Sequence, residues 1–114
     1  MQIRKTYRGV DTELLYSEVK DFVLKQGVSI GQSKMETSAV PGDSSSFISR
    51  GTLTFNAVGQ TGEKECLRVH IVGSIKTETK LMLDINDSLF PQEKVAALQG
   101  DIDFIFGSYE AEAK

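Results

Sequence analysis

The sequence predicts a two-layer α+β sandwich. A curved antiparallel sheet of 4–5 strands carries two helices on one face, in the order β-α-β-β-β-(β)-α. Three observations carry that expectation. Apolar residues recur at helical spacing near each end of the chain, apolar and polar residues alternate between them, and glycine- or proline-bearing turns separate the alternating runs. At 114 residues, 39% hydrophobic and 25% charged, the chain is expected to form a single domain, 1–114, with a core of its own.

Residues 2–7 read as a short strand with Ile3, Lys5 and Tyr7 on one side and Arg4 and Thr6 on the other, ended by Gly9. Asp11 or Thr12 then caps a helix whose buried stripe is Leu15, Val19, Phe22 and Val23, with Leu14 beside it and Gly27 past its end. Beyond Gly27 the period falls to two. A strand over 28–37 is followed by a loop over 38–46, where Pro41-Gly42-Asp43 and three serines supply turn chemistry. The strand over 47–57 should turn Phe47, Leu53 and Phe55 inward and Arg50, Thr52, Thr54 and Asn56 outward. A second glycine-containing loop, 58–64, leads into the strongest alternation, 65–75, with Leu67, Val69, Ile71 and Ile75 inward and Arg68, His70, Val72 and Ser74 outward.

Odd-numbered positions stay apolar through Leu81, Leu83 and Ile85. A two-residue hairpin would reverse that parity, so an odd connection over 76–80, pairing Ile75 with Leu81, is expected instead. Asp87 or Ser88 should cap the opening turn of a last helix of about 20 residues, with Pro91 in its first turn. Its apolar stripe is Val95, Leu98, Ile102, Ile105 and Tyr109, with Phe106 alongside, and its register does not break at Gly100.

Charge and motifs narrow the function. A net charge of −3 disfavours unspecific binding to nucleic acid or to an anionic membrane, and no apolar run is long enough to span a bilayer. The start, MQIRKTYRG, leads into no apolar stretch, so no secretory signal is expected. One cysteine, Cys66, and one histidine, His70, make no zinc set, and the aspartates Asp84, Asp87, Asp101 and Asp103 lack calcium-loop spacing. No metal and no cofactor are expected, and a lone thiol suits a reducing, cytoplasmic setting.

Two candidate sites remain. Arg4, Arg50, Arg68 and His70 fall on the outward side of their strands among threonines, the donor set of an anion-binding face; the alternative is a solvated face whose cations pair with Glu36 or Glu65. The lack of outward aromatics makes a nucleic-acid partner an unfavourable reading of that face. Histidine is the side chain that titrates near neutrality, so any acid/base role starts at His70, and no orienting carboxylate lies near it in sequence. Cys66 shares its parity, too far along the strand for a direct bond.

The second site is on the last helix. Ala97, Gly100, Phe104, Gly107 and Ala111 form a line opposite the buried stripe, a large aromatic bordered by small residues, which suits packing against a second copy. The expected function is a non-catalytic interaction or binding module that self-associates. The alternatives are a small-molecule carrier with a pocket lined by Phe22, Phe47, Phe55, Leu83 and Phe106, or a binder of anions or nucleic acid on the Arg/His face.

Overall fold

A computed structural model describes residues 1–40, 42–59, 62–74 and 78–111. Its elements are β1 (Gln2–Arg8), α1 (Thr12–Leu24), β2 (Ser29–Val40), β3 (Asp43–Gly59), β4 (Gly62–Gly73), β5 (Glu78–Ile85) and α2 (Gln92–Phe106), with a 3-10 turn at Gly107–Tyr109. The strands form one antiparallel sheet in the order β1-β5-β4-β3-β2. This is the α+β order read from the sequence, with all five strands formed.

The helices pack on one face. Leu15, Val19 and Val23 of α1 and Val95, Leu98, Ile102 and Phe106 of α2 are buried against Leu53, Phe55, Leu67, Val69, Ile71, Leu81 and Leu83 of the sheet. Burial of these apolar stripes, rather than helix propensity, holds short helices like these in place. Asp11 caps α1 as expected, its carboxylate accepting the Glu13 N–H at 3.3 Å, and Gly27 takes a left-handed φ of 89° as the chain leaves the helix. Leu14 stays half exposed at its edge.

Several expectations are corrected. The loop over 38–46 is instead mostly strand: β2 and β3 continue to Val40 and Asp43, with Gly42 at φ 83° in the tight turn between them. The loop over 58–64 closes likewise to a tight connection, Gly59 pairing with Gly62, and Gln60 and Thr61 lie outside the described residues. The β4–β5 hairpin keeps the expected parity, but its pairing is shifted. Leu81 faces Ile71, and Gly73 faces Thr79, so Glu78, Thr79 and Lys80 belong to a strand; Ile75, Lys76 and Thr77 lie outside the described residues.

Two bulges alter the facing of side chains. The β2–β3 register slips at Gly31, and the β3–β4 register slips at Cys66, which leaves Cys66 buried rather than on the His70 face. Phe47 is 52% exposed rather than covered by the helices, because the β2–β3 hairpin runs on past the end of β4 at the Ser49–Gly73 pair and no described segment packs over it there.

At the far end, Asn86 rather than Asp87 or Ser88 organises the turn before α2. Its side-chain oxygen accepts from the Ser88 N–H and hydroxyl, and its carbonyl accepts from the Leu89 and Phe90 N–H groups; Pro91 takes the N-cap position. The helix is 15 residues long rather than about 20. Its buried stripe closes on Phe106, so Ile105 and Tyr109 are 42% and 49% exposed. Ala111 lies beyond the helix, its N–H donating to the Thr6 carbonyl at 2.7 Å while Glu110 bridges to Tyr7. The C-terminal segment thereby covers part of the free edge of β1.

Candidate anion-binding face of the sheet

The strand order decides which outward residues meet. Thr6, Lys80, Val72, Arg50 and Glu36 form one row across the sheet. Arg4, Met82, His70, Thr52 and Lys34 form the next, and Gln2, Asp84, Arg68, Thr54 and Gln32 a third. These rows hold five of the chain's 13 basic residues and two of its 16 acidic ones. The helices opposite carry Glu13, Glu18, Asp21, Glu93, Asp101 and Asp103 against Lys20 and Lys94. These rows are therefore net positive and the helices net negative, so an acidic protein is polarised across its two layers.

The four residues singled out from sequence do not form one cluster. Arg4 and His70 share a row and flank Met82. Arg68 lies in the adjoining row and pairs with Glu65 at 2.9 Å. Arg50 lies further across on β3, where it lines a separate hollow of about 310 Å³ with Glu36, Ser38, Ala39 and Ile48. Its cross-strand neighbour Glu36 is occupied by Lys34 at 2.9 Å. Pairing with Glu65 thus holds for Arg68, whereas Arg4, Arg50, His70 and Lys80 make no ion pair among the described residues.

Lys80 and Met82 are the residues sequence reasoning missed. Placing Lys80 in a loop hid its parity, which continues that of Arg68 and His70 through the hairpin. With them the face acquires a built feature: a hollow of about 540 Å³ with Val72 and Met82 as apolar floor and Arg4, Thr6, His70 and Lys80 around it. Guanidinium, ammonium, imidazole and hydroxyl groups line it, each able to donate to an anionic oxygen. His70 has Thr52 and Met82 as cross-strand partners and no hydrogen-bonded carboxylate, so the orienting group of a general base is absent among the described residues.

Beneath the rim, Lys5 points the other way and is fixed. Burial works to lower its pKa, but hydrogen bonds to Asp103 and Glu110, each at 3.0 Å, outweigh that and hold the ammonium above its ordinary value. It ties β1, α2 and the C-terminal segment together. Burial pushes the Cys66 thiol up, away from the thiolate form that nucleophilic chemistry needs. No group of three or more His, Cys, Asp or Glu able to hold a metal occurs among the described residues.

The second candidate face is uncovered. Phe104 is 87% exposed, with Ala97 and Gly100 exposed along the same helix and Gly107 exposed just past its end. Ala111 does not belong to that face, being held at the β1 edge. No helix among the described residues is long and apolar enough to cross a membrane. Comparison with family models, curated proteins and solved structures gave no match.

Proposed function

We propose that the protein is a non-catalytic binding module, working in the cytoplasm without a cofactor, that holds a small organic anion with an apolar body on the open face of its sheet. The observation that carries this is the meeting of two cations that make no ion pair among the described residues, Arg4 and Lys80, with the His70 imidazole beside them, around an apolar floor of Val72 and Met82. A purely ionic ligand would have no use for the floor, and a purely apolar one would leave the cations in place without a counter-charge. The face presents no phenylalanine, tyrosine or tryptophan among its three rows, so base stacking gains no platform there, which favours a small anion over single-stranded nucleic acid. The carrier reading loses part of its lining, because Phe47 is exposed on the overhanging hairpin.

Calorimetric titration with decanoate tests the reading. Binding is expected for the wild type and should weaken about tenfold or more in Arg4→Glu and Lys80→Glu, since hydrogen bonds to charged groups contribute roughly 1.5–3 kcal/mol each. Decanoate binding that ignores both variants would place the ligand elsewhere.

Self-association through α2 is the second reading. It is favoured by Phe104, Ile105 and Tyr109, three large apolar residues left 87%, 42% and 49% exposed near the end of one helix.

A further inference from the structure

The two edges of the sheet are treated differently. The β1 edge is covered in part by the chain's own C-terminal segment, through the Ala111–Thr6 hydrogen bond and the Tyr7–Glu110 bridge. No described segment pairs with the outer edge of β2, although at 12 residues it is among the longer strands. An uncovered edge of this length is a template for another strand. The geometry points to a second copy of this chain as its occupant, joined through antiparallel β2–β2 pairing in the register that sets Met35 opposite Met35.

Charge chooses that register. Lys34 and Glu36 lie two apart on the open face, exposed at 60% and 59%, and pair within their own strand at 2.9 Å. A twofold axis normal to the sheet keeps both helix layers on the same side, so only residues of like facing can sit opposite one another. Centring the axis on Lys34 or on Glu36 would set like charges face to face. Centring it on Met35 sets Lys34 against Glu36 of the second copy, twice by symmetry. A lysine on an edge ordinarily discourages pairing; here its neighbour cancels that penalty for one register and not for the adjacent ones.

The same register keeps residues of like facing opposite one another from Gln32 to Ser38, between the two register slips of β2. Phe47, which is the cross-strand partner of Ala39 and 52% exposed, stands on the helix side just beyond that stretch. The α2 face offers no comparable matching of charge or register. This dimer does not depend on the anion site, but it would bring the two basic faces into one plane.

Light scattering on the full chain at low salt tests it by charge reversal. The wild type should be a dimer, and Lys34→Glu and Glu36→Lys should each weaken it by roughly tenfold or more, because two attractive cross-strand pairs become repulsive. The doubly reversed Lys34→Glu/Glu36→Lys chain should dimerise again, with circular dichroism confirming that all forms fold. A monomeric wild type overturns the proposal. So does a double variant as monomeric as the singles, or a dimer that ignores all three and is dissociated by Phe104→Glu.

Discussion

Gly73 and Thr79 face each other across the β4–β5 hairpin so closely that a Cβ on Gly73 would lie 2.5 Å from the Thr79 Cα and 2.8 Å from the Glu78 carbonyl oxygen. The obstruction is backbone, which cannot swing aside as a flexible side chain can. Gly73→Ala should therefore destabilise the fold by about 1–3 kcal/mol, read from the denaturant midpoint. Thr79 adds a second tie, donating its hydroxyl to the Val10 carbonyl at 3.0 Å in the interior. Thr79→Val should cost about 1–3 kcal/mol by leaving that carbonyl unpaired, whereas Thr79→Ser keeps the donor and should cost less.

Gly100 is the opposite case. Apart from its own helical turn, no described residue lies within 4 Å of the place its Cβ would occupy, on the exposed side of a helix. Gly100→Ala should raise stability by about 0.5–1 kcal/mol, seen as a higher Tm. The same variant reports on α2 as an interface: if another copy packed closely there, the methyl group would weaken association while stabilising the monomer.

Tyr7 is fully buried, and its hydroxyl has no hydrogen-bond partner among the described residues. Tyr7→Phe should be neutral or stabilising, because it removes a polar group that folding strips of water without replacement.

Alkaline stability follows from the shifted groups. Burial, followed by the Glu110 and Asp103 charges, holds the Tyr7 phenol far above its ordinary value, burial raises the Cys66 thiol, and its two carboxylate partners raise Lys5 against the effect of burial. Each folded-state pKa lies above its unfolded one. Their stabilisation is complete below the ordinary pKa values and is lost as pH rises past about 9 to 10. Urea unfolding at a series of pH values should show that decline, and Tyr7→Phe should flatten it.

How much of this was legible in the sequence depends on what each residue's role required. Leu15, Val19 and Val23 or Leu67, Val69 and Ile71 announce their elements by spacing alone, because burial on one face repeats with the local period. The bulges at Gly31 and Cys66 break that repetition by one residue, and period counting has no way to see an insertion that keeps the chain extended. Phe47 has the pattern of a core residue and fails to be one only because β4 stops opposite Ser49. Turn residues around Gly42 and Gly59 signalled turns correctly, but their flanking polar residues made tight hairpins look like wide loops.

The candidate site was legible in part for the same reason. Arg4 and His70 were marked by parity, but their meeting across Met82 needed the order β1-β5-β4, a long-range fact. That order also puts Arg50 on the next strand over, while Arg68 stays one row away on β4, where it pairs with Glu65.

The proposed seat of the anion, on the sheet face between Arg4, His70 and Lys80, can be located by titrating the isotopically labelled protein with decanoate and following backbone amide shifts. Saturable shifts centred on Arg4, Thr6, His70, Val72, Lys80 and Met82 are expected, with the midpoint moved about tenfold or more to higher decanoate in Lys80→Glu. Shifts centred instead on interior residues such as Phe55, Leu83 and Phe106, or no saturable shift at all, would contradict it.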